Sequence, residues 1–217
     1  APMWDAESDN YKMLYLADGV YYAVSNDGLN WEMPDLGRPN LFNTYPRNQV
    51  ITETEDGRLR GGPGSVVLDT DDPDPNRRYK GIGGISANGY DFKYIDSPPV
   101  RASDETQIVY DQEKRRFLYL VKIGNEWGRA VSLSISTDFE NWTSPQHIFG
   151  TDKEDQIRAR EIIRNRSKNS KYRGPYFFDP EPPIDYIPEK WNSLSPWAVD
   201  IYNMPVFPYE GMYIGMP

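Results

Sequence analysis

Along most of the chain, apolar residues come in short runs separated by Gly, Pro, Asn and Asp, the pattern of β-strands joined by tight turns. Alternation is cleanest over Arg129-Ala130-Val131-Ser132-Leu133-Ser134-Ile135, where one face is apolar and the other polar, so a half-buried strand is predicted there. The same signal predicts strands at Pro2 to Trp4, Tyr11 to Leu16, Val20 to Val24 and Leu29 to Met33, and again at Ser65 to Leu68 and Arg78 to Ile82. Further strands are predicted at Thr106 to Tyr110, Phe117 to Val121 and from Trp142 to Phe149. A last pair, Ile201 to Pro208 and Met212 to Gly215, is joined by the turn Tyr209-Glu210-Gly211. Two stretches break the pattern. Pro34 to Pro63 has weak periodicity and reads as a long loop with one short strand at Gln49 to Thr52. Asp155 to Arg166 is densely charged, with Ile157, Ile162 and Ile163 as its large apolar residues, and predicts a short surface helix, followed by a Pro- and aromatic-rich segment from Pro175 to Trp197.

One seven-residue stretch recurs among the strands. Ser25-Asn26-Asp27-Gly28-Leu29-Asn30-Trp31 has looser copies at Ser86-Ala87-Asn88-Gly89-Tyr90-Asp91-Phe92 and Ser136-Thr137-Asp138-Phe139-Glu140-Asn141-Trp142. Each has Ser, Asp or Asn two residues later, and an aromatic six residues after the Ser. Asp or Asn before Gly suits a left-handed turn, and a Ser or Asp side chain can bond backbone N–H groups the turn leaves unpaired. The motif therefore reads as structural, with Asp27 and Asp138 shaping hairpins. Successive copies start 61 and 50 residues apart, close to the length of a four-stranded propeller blade.

The expected fold is thus all-β: a β-propeller of the five-bladed type, as a single partial domain over 1–217. About three and a half blades are expected, at 1–34, 62–97, 104–150 and 198–217, with a helical or irregular insertion at 151–197. Strands at both extremities and an incomplete last blade lead to the expectation that further blades come from the rest of a parent chain or from another polypeptide. Composition agrees, with 14% aromatic residues, 19 Pro and 17 Gly.

Charge and composition narrow the chemistry. A net charge of -9 argues against nucleic acid or an anionic membrane as partner, since both are bound through excess Lys and Arg. There is no Cys, and His147 is the single histidine, which leaves no thiolate or His-rich metal centre and no His-based triad. The acidic turn Asp69 to Asn76 lacks the Gly and closing Glu of an EF-hand and reads as a surface turn. No cofactor or metal is expected, and acid–base work falls to carboxylates. In a propeller the innermost strands begin around one funnel. Counting back from them puts Asp104 and Glu105 at the mouth of the third blade and Asp200, Tyr202 and Asn203 at that of the fourth. Arg47 and Asn48, or Arg58 and Arg60, would approach the second, and Trp191 and Trp197, beside many prolines, either pin that loop down or offer surfaces for stacking on sugar rings. A local pairing of Asp104 with Arg101 is the alternative reading of that carboxylate.

The repeated motif resembles the Asp-box hairpin of sialidases. More closely, Ser25 to Trp31, Arg78-Tyr79-Lys80, Ser136 to Trp142 and Tyr209-Glu210-Gly211-Met212-Tyr213 resemble five-bladed propeller proteins related to glycoside hydrolase families 32 and 43, a likeness covering residues 1–150 and 198–217. That resemblance implies hydrolysis of a glycosidic bond in an oligo- or polysaccharide by a carboxylate pair. Asp104 would correspond to the family 43 Asp that tunes the acid, and Asp200 would stand where the acid Glu does. The chain departs from the pattern in having no Asp just before Ser65 and no W-M-N-D-P-N-G motif. A non-catalytic carbohydrate-binding propeller, or a structural fragment of a larger assembly, is the alternative expectation.

Overall fold

The structure, a computed structural model, describes residues 2–37, 47–100, 102, 104, 106–169 and 197–217. Among them the fold is all-β with one helix. The first sheet is a meander of β1 (Met3–Asp5), β2 (Asn10–Leu16) and β3 (Val20–Ser25). β4 (Ile51–Glu53) and β5 (Leu59–Gly61) form a hairpin, and β6 (Val66–Leu68), β7 (Tyr79–Gly81), β8 (Gly84–Ser86) and β9 (Asp91–Tyr94) make a second meander. The third sheet is β10 (Gln107–Asp111), β11 (Arg116–Lys122), β12 (Ala130–Ser136) and β13 (Gln146–Gly150). Helix α1 (Lys153–Ser167) follows, and β14 (Val206–Tyr209) with β15 (Met212–Gly215) closes the described chain. Asp152 caps α1 through the backbone N–H groups of Glu154 and Asp155, while Asp155 returns a bond to the Asp152 N–H.

Three expectations require correction. Leu29 to Met33 is not a full fourth strand of the first sheet; it touches β3 through one bridge, Val24 to Glu32. The rest of that edge is taken by Asn48 to Val50, where Tyr22 N–H bonds Asn48 C=O and Val50 N–H bonds Val20 C=O. The same strand then runs on as β4 and pairs parallel with β9, so Pro34 to Pro63 is not simply a loop: part of it staples two sheets together and adds the β4–β5 hairpin to the second, making six strands. Short strands of mixed polarity left this parallel pairing invisible to periodicity. The acidic turn is likewise more than surface. Asp69 and Asp72 hold the fully buried Lys80 ammonium at 2.6 and 2.7 Å, and a short 3-10 turn at Pro75–Arg77 sits within it.

The sheets follow one another in sequence order, with β1 beside β6, β6 beside β10 and β10 beside β14. Three apolar clusters fill the spaces between them: Tyr22, Val50, Tyr79 and Phe92 between the first and second, Ile108, Phe117, Tyr119, Val121 and Phe139 on one side of the third, and Val109, Leu118, Leu120, Val131, Met204 and Val206 on its other side. Side chains alternate across a strand, so β11 sends Phe117, Tyr119 and Val121 one way and Leu118 and Leu120 the other. Each such residue fully buried contributes about 1.5–3 kcal/mol.

A polar node accompanies the apolar contact. Buried Asp5, at the end of β1, accepts bonds from Lys12 (2.6 Å), from the Tyr79 hydroxyl of the next sheet (2.6 Å) and from Arg78 (3.0 Å). Burial alone would raise the Asp5 pKa; the hydrogen bonds from Lys12 and Tyr79 outweigh it and hold the carboxyl well below its ordinary range. Asp111, ending β10, likewise accepts the Tyr213 hydroxyl from β15.

The repeated motif folds as the residues require. Ser25 Oγ accepts from the N–H groups of Asp27 and Gly28, and Asp27 Oδ1 accepts from those of Leu29 and Asn30. Ser86 with Asn88, and Ser136 with Asp138, repeat this pattern. The residue after the Asp or Asn has positive φ each time: Gly28 (74°), Gly89 (85°) and, without glycine's freedom, Phe139 (66°). Trp142 packs back on the hairpin, its ring 5.5 Å from that of Phe139.

Candidate functional site

In each meander the first strand starts at the end opposite the Ser-x-Asp hairpins, and that end also carries the connection between second and third strands. On the third sheet this places Asp104, ahead of β10, near Lys122, which ends β11, and Arg129, which precedes β12. The segment leading to β14 crosses the same place, because Ile201 N–H bonds Arg129 C=O at 3.1 Å and the Gln107 amide brackets Val206 through its N–H and C=O.

Five side chains meet here. Lys122, whose ammonium is buried, pairs with Asp104 at 2.6 Å, and Arg129 holds Asp200 through Nε at 2.7 Å and a second nitrogen at 3.3 Å. Tyr202 lies between the cations, with Lys122 Nζ 3.7 Å and the Arg129 guanidinium carbon 4.6 Å from its ring centroid. Its hydroxyl reaches Asp104 at 3.4 Å. The bond to Asp200 raises the Arg129 pKa, so the guanidinium stays charged. The two carboxylates differ in access: the Asp104 side chain is 65% exposed and that of Asp200 13%.

Local structure sets these positions. The loop from Ile123 to Gly128 closes on an Asn125 to Gly128 bridge, and Asn125 Oδ1 accepts from Trp127 N–H. Gly128 has φ of 121°, and a Cβ there would lie 2.9 Å from Asp200 Cβ and 3.4 Å from Trp197 Cγ, so only glycine admits the returning chain. Buried Gln156, on the first turns of α1, fastens that chain: its amide nitrogen donates to the carbonyls of Trp127 and Val199 and to Thr151 Oγ1, and its oxygen accepts from Ala198 and Val199 N–H.

Of the residues expected at the funnel, Asp104, Asp200 and Tyr202 are brought together, with exposed Asn203 beside them along the lining of a small depression of about 10 Å³. Trp197 is close by, its indole N–H donating to Glu126 C=O. Arg47 and Asn48 go to the first sheet instead. Asn48 is fully buried, donating to Tyr22 C=O and the Tyr15 hydroxyl, and Arg47 pairs with Asp35 at 3.8 Å. Arg60 lies on exposed β5, and Arg58, just ahead of that strand, pairs with Asp56. Glu105, Trp191 and Arg101 fall outside the described residues.

Sequence reasoning missed Lys122, Arg129 and Gln156. The first two were within reach, since a charged residue ending one strand and another opening the next must lie at the end where Asp104 lies. Gln156 gave no signal, being a polar residue in a polar helix. A larger hollow of about 480 Å³ lies at the opposite, hairpin end, lined by Asp69, Asp71, Asp72, Asp74 and Asp138. Its acids serve the fold: Lys80, Arg77 and hairpin N–H groups occupy Asp69, Asp72 and Asp138. Among the described residues no three His, Cys, Asp or Glu side chains converge as metal ligands, and no helix is long and apolar enough to cross a membrane.

Fold and site together define an all-β protein of successive sheets carrying a mixed-charge, Tyr-centred cluster at one end. No family model matches the chain, and no curated protein or solved structure does.

Proposed function

We propose that the chain is a β-propeller of the five-bladed type, akin to glycoside hydrolase families 32 and 43, that binds a saccharide at this cluster and hydrolyses a glycosidic bond. The carrying observation is that Asp104, Lys122, Arg129, Asp200 and Tyr202, from three separated stretches, meet at the end where the first strands begin. The adjacency of β1, β6, β10 and β14 supports the radial arrangement. Two carboxyl groups flanking a glycosidic oxygen serve as acid and as base or nucleophile, a chemistry that needs no histidine. In this reading Lys122 and Arg129 orient the two carboxylates, and Tyr202 with Trp197 supplies aromatic surface for a sugar ring. Further blades, from the same or another polypeptide, belong to the proposal.

A panel of glycans assayed for reducing-end release tests it. Asp200→Asn, which keeps a hydrogen bond to Arg129, is expected to lower turnover by about 10²–10⁴-fold with the melting temperature little changed. Unaltered turnover removes Asp200 from the mechanism. One observation favours a second reading, a binding propeller without catalysis: both carboxylates are already engaged by cations, Asp104 by Lys122 and Asp200 by Arg129. Affinity for a glycan without product would decide for it.

A further inference from the structure

We propose that Asn88 is a site of deamidation, closed by the native hairpin and open whenever that hairpin frays, and that reaction there unfastens the joint between the first and second sheets. The inference stands apart from the saccharide reading, which involves none of these residues.

Sequence and packing together impose the labile pair. Asn88 is the one Asn of the chain followed by Gly. With no side chain beside it, the Gly89 nitrogen has a clear approach to the Asn88 side-chain carbonyl carbon. Glycine is required here, because residue 89 has φ of 85° and a Cβ would lie 3.1 Å from the Tyr79 ring. The third copy of the motif manages the same positive φ with Phe139, so the nearby ring is what rules out a larger residue at 89. In the reaction the Gly89 nitrogen loses its proton and bonds to Asn88 Cγ, while the carboxamide nitrogen leaves as ammonia, giving a succinimide ring. Water then opens the ring at either carbonyl and leaves an aspartate or an isoaspartate at position 88.

The folded hairpin withholds both reacting groups. Gly89 N–H donates to the buried Ser86 Oγ at 3.0 Å, which keeps its proton in place. The Asn88 carbonyl oxygen accepts from the N–H groups of Tyr90 and Asp91 at 3.1 and 2.9 Å, and its amide nitrogen donates to Asp91 Oδ2 at 3.0 Å, so the carboxamide is held toward the strand that follows. Cyclisation has to wait for a local opening of the turn. Afterwards the turn cannot close as before. Asp27 with Asn30, and Asp138 with Asn141, each pair one carboxylate with one amide, and Asn88 with Asp91 does the same in reverse order. An acid at position 88 sets two carboxylates where amide met carboxylate, and like charges that close repel. The damage falls on the joint between sheets: Ile51 N–H donates to Tyr90 C=O at 3.1 Å, and Ile51 pairs with Asp91 where β4 runs parallel to β9.

Ageing the purified chain at mildly alkaline pH tests this, with peptide mapping and isoaspartyl methyltransferase labelling as the readout. In urea, acid and isoaspartate should appear at position 88 faster than at any other Asn, and under folding conditions the same position should react several-fold more slowly. Ser86→Ala, which removes the acceptor of the Gly89 N–H, should restore part of the lost rate in the folded chain. Faster reaction at another Asn in urea, or a rate at 88 indifferent to both folding and Ser86, overturns the site. Should Ser86→Ala fail to fold, the comparison of folded and urea-treated parent decides alone. The structural consequence is read separately. Asn88→Asp, the direct product, should lower the melting temperature and speed hydrogen exchange at the Ile51 N–H. Asn88→Asp with Asp91→Asn restores the order of the other two copies and should return both toward the parent. An Asn88→Asp chain as stable and as protected as the parent, or a double variant no better than the single, overturns the unfastening of the joint.

Discussion

Asp138 and Asp27 are almost pure turn chemistry. The Asp138 carboxylate accepts the Asn141 side-chain amide and the N–H groups of Asn141 and Glu140, which together hold its pKa well below the carboxylate range, and Asp27 is depressed in the same way by Asn30 and Leu29. A carboxyl whose folded pKa lies below its unfolded value stabilises fully above about pH 5 and loses that contribution as pH falls through the folded value. Acid sensitivity below about pH 4 should therefore come partly from these hairpins. The second copy of the motif carries its own control, since neutral Asn88 accepts the same two N–H bonds and donates to Asp91. Asp138→Asn, with the Asn141 amide turned over, should cost less than about 5 °C in melting temperature at neutral pH. The drop in melting temperature between pH 5 and pH 3 should become smaller than in the parent; an unchanged drop would place the acid sensitivity elsewhere, with Asp5 as the next candidate.

Helix α1 shows how one polar residue can organise an element that contributes little apolar packing. Ile157, Ile162 and Ile163 are all about half exposed, so the helix gains little from burial, and its capping box and Gln156 do most of the positioning. The Gln156 amide pairs with Val199 as a neighbouring strand would, donating to its carbonyl and accepting from its N–H. Asp200 is the next residue along, so the Arg129 to Asp200 pair hangs on this contact. Gln156→Ala leaves backbone groups of Trp127, Ala198 and Val199 without that partner and should cost about 1–3 kcal/mol in urea unfolding. Hydrogen exchange at Ala198 and Val199 should accelerate while β11 and β12 stay protected. Uniform acceleration across the third sheet would mean that α1 is integral to that sheet, not a clamp on the returning chain.

Across the whole molecule, sheets are joined by the same two-part contact, alternating apolar side chains and a carboxylate that receives an aromatic hydroxyl or a cation. Asp5 is the most heavily used, serving Lys12 within its sheet and Tyr79 and Arg78 across the interface. Asp5→Ala strands the Lys12 ammonium in a buried place, which costs about 3–5 kcal/mol when a buried pair is broken. Asp5→Ala together with Lys12→Met should recover part of that loss, because it removes the uncompensated charge. If the double variant is no more stable than the single one, the node works through Tyr79 and Arg78 and not through Lys12.

Local rules carried the sequence far at positions where neighbours in the chain decide the conformation. Ser25, Ser86 and Ser136 mark their hairpins because each turn is closed by bonds spanning two or three residues, and the alternation at β12 marks a strand with one face in each environment. The acidic start and charged body of α1 announce a helix for the same reason. What lay beyond local reach depends on residues distant in the chain. Asn48 to Val50 leaves the first sheet to join the second through a parallel pairing that no short-range pattern encodes. Asp104 and Asp200 could be placed at one end of their sheets by counting strands, but their binding to Lys122 and Arg129 on either side of Tyr202 was decided only when the returning chain crossed the third sheet. Bonds between near neighbours are set by residue identity alone, whereas a charge cluster exists only where packing brings separate strands to the same place.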